Sequence, residues 1–144
     1  MARAGFYRDW RAVPWDARRW PDFSPQELAC KCGGRFCAGR YWHDPAFLDA
    51  LQALRIKLGA PVIVNSGHRD PLWNAAVGGA PRSRHKTIAA DIRLAGHDAG
   101  ALHAAARSAG FRGFGYYRTF LHLDLGRPRL WWGSSSAREI WSDI

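Results

Sequence analysis

The sequence has no apolar run near the roughly 20 residues that a membrane-crossing helix needs; stretches such as residues 61–64 end after a few positions. A transmembrane helix is therefore not expected. Arg3 is followed by Phe6, Arg8, Asp9 and Arg11 rather than by an apolar segment, so a Sec-type signal peptide is not expected either. Lysine is scarce: Lys31, Lys57 and Lys86 are the only three among 21 basic residues. This arginine bias fits a GC-rich coding sequence. The basic residues never form a run of five, which argues against a nucleic-acid-binding arm. Cysteine is limited to Cys30, Cys32 and Cys37, an odd number that does not suit a disulfide framework.

The chain does have enough material for one core. It has 144 residues, 47% of them hydrophobic, which suits a single domain and leaves no room for a second. Its formal charge of +9 favours anionic partners, and nucleic acid, anionic lipid and acidic wall polymers all qualify.

Residues 1–22 carry Trp10, Trp15 and Trp20 among Arg and Pro without helical or strand periodicity, and read as an irregular arm packed by its aromatics. Regular signals begin after it. Ser24 with Glu27 forms a capping box, and Pro25 stands at the first helical position. Asp44 and Pro45 open a second helix. Phe47, Leu48, Leu51, Leu54, Ile56 and Leu58 recur along it until Gly59. Residues 61–65 read as a buried strand followed by a loop over 66–71, and residues 72–77 as one or two helical turns. Strands are expected at 89–94, 113–117 and 120–125, with a helix over 98–109. The last two strands should form a hairpin around Arg118 and Thr119. The expected class is α+β: a small, mainly antiparallel sheet with helices packed on it and a metal site on the sheet face.

Three polar residues interrupt this apolar pattern: His85 before the strand at 89–94, Asp91 within it, and His122 within 120–125. Two histidines and a carboxylate make a common hydrolytic zinc set that leaves one position for water. The competing reading is a group of ordinary hydrogen-bonded residues. Asp124 lies two positions after His122 and therefore shares its strand face. It suits a general base that takes a proton from the attacking water. Orienting His122 or pairing with an arginine are its other possible jobs, and the base role ranks first.

Together these residues carry a family resemblance. Val64-Asn65-Ser66-Gly67-His68-Arg69-Asp70-Pro71 is followed by Asn74-Ala75-Ala76-Val77-Gly78-Gly79-Ala80, by Ser83-Arg84-His85, by Ala89-Ala90-Asp91-Ile92 and by Leu121-His122-Leu123-Asp124. This ordered set resembles the zinc D-Ala-D-Ala carboxypeptidase-like peptidases, the VanY-like and phage-endolysin enzymes of the LAS metallopeptidase group. The likeness runs from about residue 23 to 133. It implies one zinc-dependent peptidase domain over residues 23–144 that cuts stem or cross-link peptides of peptidoglycan, with one Zn2+ held by His85, Asp91 and His122. It also implies that Arg69 holds substrate carboxylate or carbonyl groups, a task suited to a guanidinium fork. Ser83 matches the serine of the family's Ser-x-His element and orients substrate or a ligand, unless it only caps the loop. A catalytically inactive wall-binding module that keeps fold and zinc is the alternative. The expected protein is a monomer without specific nucleic-acid partners or membrane insertion, held in the cytoplasm until release or delivered to the wall by a phage-like particle.

The sequence departs from the family pattern in three places. His85 and Asp91 are six positions apart where the family has seven, and Ile88 stands near the usual glycine. Thr119 occupies the place where the carboxypeptidase branch has a catalytic acid, which leaves Asp124. His68 replaces a common tyrosine and is a candidate for a substrate hydrogen bond. Cys30, Cys32 and Cys37 are expected as buried thiols, because a Cys-x-Cys-x4-Cys set has no obvious fourth ligand besides His43. His97 and His103 are expected at the surface or in packing, and Trp131, Trp132 and Trp141 in the core.

Overall fold

The capping signals mark the helix starts in the computed structural model, which describes residues 3–142 and residue 144. The Ser24 backbone N–H donates to Glu27 Oε2 at 2.7 Å and opens α1, Pro25–Leu28. Asp44 accepts from the backbone N–H groups of Ala46 and Phe47 at the start of α2, Pro45–Leu58. Gly59 ends that helix at φ +61, a left-handed conformation that costs glycine nothing. Asp70 caps α3, Pro71–Ala76, and Asp98 caps α4, Ala99–Ser108.

The main sheet has strands β3 (Val64–Ser66), β4 (Ala90–Arg93), β5 (Gly113–Tyr116), β6 (Phe120–Asp124) and β7 (Arg129–Trp132). Their spatial order is β3-β4-β6-β5-β7, antiparallel throughout except for the parallel pair β5/β7. β3 begins three residues later than expected. Pro61 has no N–H to give a ladder, and a bulge lies between Val64 and Ser66. One sheet face carries Ala90, Ile92, Phe114, Tyr116, Leu121 and Leu123, all buried in the core. Leu48, Leu51 and Leu54 of α2 and Leu102 and Ala106 of α4 belong to the same cluster. The apolar residues of the strands alternate with the polar set, so the period-2 pattern sends one face to the core and the other to the site.

The N-terminal arm departs from the irregular reading. Within it, β1 (Gly5–Tyr7) pairs antiparallel with β2 (Tyr41–His43), a second strand without a sequence signal. Three-residue strands are too short to show a period; their pairing partner forms them. Val13 and Trp20 of the arm are buried in the common core. A short helix α5, Ala137–Ile140, brings Trp141 against Tyr116.

Candidate metal centre and cleft

Asp91 of β4 and His122 of β6 are directly paired across the antiparallel ladder, which puts their side chains side by side on the face opposite the core. His85 comes from a 3-10 turn, Arg84–Lys86, whose N-cap Ser83 accepts from His85 N–H at 3.2 Å. The six-residue interval from His85 to Asp91 is thus sufficient, because a tight turn followed by extended chain closes the distance. All three residues are buried.

The ring protons are assigned by the outer partners. His85 Nδ1 lies 2.6 Å from Gly67 O, and His122 Nε2 lies 2.7 Å from Asp124 Oδ2. Both partners only accept, so these nitrogens carry the protons. His85 Nε2, His122 Nδ1 and Asp91 Oδ1 are left facing one another at 3.0, 3.1 and 3.2 Å. Three converging acceptors repel unless a cation lies among them. Zinc–ligand bonds of about 2.0–2.1 Å put neighbouring tetrahedral ligands about 3.3 Å apart, so this triangle fits one zinc ion with little adjustment. A proton can occupy the same place. Burial alone would lower His122, but Asp124 and Asp91 outweigh it and raise its pKa. Burial likewise opposes ionisation of Asp91, yet its contacts with His122 and His85 hold the carboxyl well below the usual range.

Asp124, expected as the base, is fully buried behind His122. Its Oδ2 takes His122 Nε2 and Arg129 Nη2, both at 2.7 Å, and its Oδ1 takes Gly126 N–H and Arg129 Nη1, both at 2.8 Å. Four donors occupy the carboxylate, and it does not line the cleft. Burial would raise its pKa, but His122, Arg129 and the Gly126 N–H hold it well below the carboxylate range. This geometry suits orientation of His122 rather than exchange of protons with an attacking water.

A cleft of about 510 Å³ opens over the triangle, and Arg69, Arg82, Arg84 and Arg129 contribute to its wall. Arg69 Nη2 lies 3.6 Å from Asp91 Oδ2, and its Nη1 donates to Asn74 Oδ1 at 3.2 Å. The guanidinium is therefore held beside the Asp91 carboxylate of the candidate metal triangle. Ser83 lines the cleft as well as capping the turn. His68 does not line it. Its ring is fully buried, with Nδ1 donating to Thr87 O at 2.5 Å and Nε2 accepting from Arg40 Nε at 3.1 Å. Both nitrogens are occupied, an arrangement that suits a structural role better than a substrate-facing one: His68 ties the loop after β3 to residue 87. Thr119 is exposed and outside the cleft lining.

The sequence reading missed the residues at the other end of the cleft. Gly115 lies between His122 and Trp131 in register, and a Cβ there would come within 2.5 Å of the Trp131 indole. The missing side chain lets Trp131 lie over Gly115 toward His122, with ring centroids 4.8 Å apart. Trp131 is thus a cleft residue, not the core residue expected. Gly113 does the same one repeat away, giving Arg129 access to Asp124. The alternation Gly113-Phe114-Gly115 was a usable signal, since two glycines on one strand face mark a close approach. Trp131 Nε1 donates to the Tyr117 hydroxyl at 3.0 Å, and Tyr117 also lines the cleft.

Comparison with known proteins adds two findings. A family model described as Peptidase M15 matches residues 21–124. The zinc D-Ala-D-Ala carboxypeptidase of Streptomyces albus G is 40% identical over 88 residues, covering 56% of this chain and 34% of that protein. The chain thus spans about a third of the length of the curated relative it matches.

Proposed function

The chain belongs to the peptidase M15 family, and from that premise we propose that it is a zinc-dependent peptidase hydrolysing stem or cross-link peptides of bacterial peptidoglycan. The observation that carries the reading is the buried His85, Asp91 and His122 triangle at the base of an arginine-lined cleft. His85 Nε2, Asp91 Oδ1 and His122 Nδ1 would hold the ion. Zinc bound there supplies Lewis acidity to the attacking water and to the scissile carbonyl.

The surrounding residues position both the ligands and the substrate. Gly67 O and Asp124 fix the two imidazoles in their ligating tautomers. Arg69, anchored by Asn74, pairs with a substrate carboxylate or carbonyl beside the metal. Tyr117 accepts from Trp131, which leaves its own O–H free to donate to a carbonyl oxygen as that atom gains negative charge. Hydrolysis joins the water oxygen to the carbonyl carbon, breaks the C–N bond and delivers a proton to the amine. Of the calls made from sequence, Arg69 and Ser83 remain in the proposed substrate site, while Asp124 moves from base to positioning residue. In its finer form the proposal is an endolysin-like or particle-delivered enzyme, with residues 23–144 as the peptidase domain.

One observation favours a second reading, a wall-binding module that keeps the metal but does not cut. Asp91 is the only carboxylate lining the cleft among the described residues. Purified sacculi separate the two. Clearing that stops with chelator and returns with zinc supports the peptidase, whereas zinc-dependent binding without clearing supports the module. Neither binding nor clearing would sink both.

A further inference from the structure

Away from the cleft, Cys30, Cys32 and Cys37 bring their three Sγ atoms within 4.8 Å of one another. The Cys32 and Cys37 sulfurs are 3.5 Å apart, and all three cysteines are free. Zinc–thiolate bonds of about 2.3 Å put neighbouring sulfurs about 3.8 Å apart, so the cluster already has nearly the dimensions of a thiolate site.

The backbone is arranged to receive negative sulfur. Asp70 N–H donates to Cys30 Sγ at 3.3 Å, and Phe36 N–H donates to Cys32 Sγ at 3.5 Å. Gly33 and Gly34 both adopt positive φ, +68 and +87, in the turn that wraps the chain around Cys32. Successive N–H groups aimed into such a turn make an anion-binding concavity. Cys30 and Cys37 line a separate cleft of about 650 Å³ together with Arg11, which pairs with Asp9, and Lys31, whose Nζ donates to Val64 O and Asn65 O.

We infer that Cys30, Cys32 and Cys37 form a second metal site, distinct from the histidine site, that takes a soft divalent cation such as Zn2+ through three thiolates. Among the described residues no fourth protein donor joins the group, so the remaining position belongs to solvent or a small ligand from the adjoining cleft. The site joins the loop after α1 to Asp70, the neighbour of Arg69, and so braces the loop that carries the proposed substrate arginine. Burial pushes the Cys30 thiol up to about 12, against the Asp70 and Cys32 backbone N–H groups, which lower it. At Cys32 burial opposes ionisation, but the N–H groups of Phe36 and Gly34 and the Cys37 thiol and backbone outweigh it and bring that thiol to about 7.

The test is metal content and ligand type in full-length protein purified under reducing conditions and supplied with zinc. The expected result is two zinc ions per chain in the wild type, falling to one in both Cys32→Ser/Cys37→Ser and His122→Ala. Cobalt substitution should give sulfur-to-metal charge-transfer absorption in the wild type and in His122→Ala, and none in the cysteine variant. If His122→Ala does not fold, thiol alkylation of the wild type still decides. Bound zinc should protect Cys32 and Cys37, and chelator should expose them. One zinc per chain without sulfur ligation, alkylation indifferent to zinc, or a Cys32–Cys37 disulfide in the reduced preparation would each overturn the inference.

Discussion

At the residue scale, two side chains with similar sequence credentials have different surroundings. Arg69 contacts Asn74 and Asp91 but is not itself a ligand. Arg69→Ala should therefore keep full zinc content while losing turnover on wall peptides. Arg69→Lys should recover little, because an ammonium cannot reproduce a bidentate contact. Unchanged turnover in Arg69→Ala would remove it from the site. Asp124→Asn keeps the shape but loses the charge that Arg129 and His122 share. If Asp124 orients His122, zinc affinity should fall by about 10–100-fold and excess zinc should restore the rate. A loss of roughly 10²–10⁴-fold at saturating zinc would instead return Asp124 to the role of base. The sequence put Asp124 on the same strand face as His122 but contained no sign of Arg129, five residues on, closing over its carboxylate.

At the element scale, β5 determines what the site face can hold. Gly115→Ala would press a methyl group against the flat face of Trp131, since its Cβ would lie 2.5 Å away. The indole has to tilt away from His122, and a loss of about 1–3 kcal/mol is expected from urea unfolding. No change in stability would mean that Trp131 is not held there. The loop after β3 carries a pH-sensitive brace. Burial is the main cause that lowers His68 to about 4, against the Thr87 carbonyl, which raises it; the Arg40 guanidinium lowers it further, and Asp70 opposes that. Because the folded value lies below the unfolded one of about 6.5, its contribution is complete above pH 6.5 and is lost as pH falls toward 4. In metal-free protein the share of the acid stability loss that depends on His68 should be on the order of 3 kcal/mol across that window. His68→Gln should make the acid limb shallower by that amount, His43 and His103 being lowered by burial as well, and an equally steep limb in that variant would place the acid sensitivity elsewhere.

At the scale of the whole molecule, the proposed metal ties the sheet to the loop carrying His85, so removal should be felt globally. Chelator should lower the melting temperature, and zinc at about 100 times its dissociation constant should restore about 2.7 kcal/mol. A melting curve indifferent to both would show that the triangle holds no ion in solution. The charge of +9 predicts that wall binding weakens as salt rises, because exposed charges separated by more than about 8–10 Å are screened near physiological ionic strength. Salt-independent binding would assign retention to the cleft alone.

Local rules were enough for much of this protein. Capping residues set the helix starts at Pro25 and Pro45, and Gly59 set a helix end, because those interactions involve neighbours in sequence. Local sequence pattern placed strands at β4, β5 and β6 and put His122 and Asp124 on one face, and ordered motifs singled out His85, Asp91 and His122. Pairing across distant segments was not legible. β1 and β2 exist only because they meet, and Trp131 reaches His122 only because β5, with Gly115 at the crossing point, lies between β7 and β6. The same holds for the roles of Asp124 and His68. Each is a polar residue beside a motif, and its job depends on which donors surround it, a matter that only the folded chain decides.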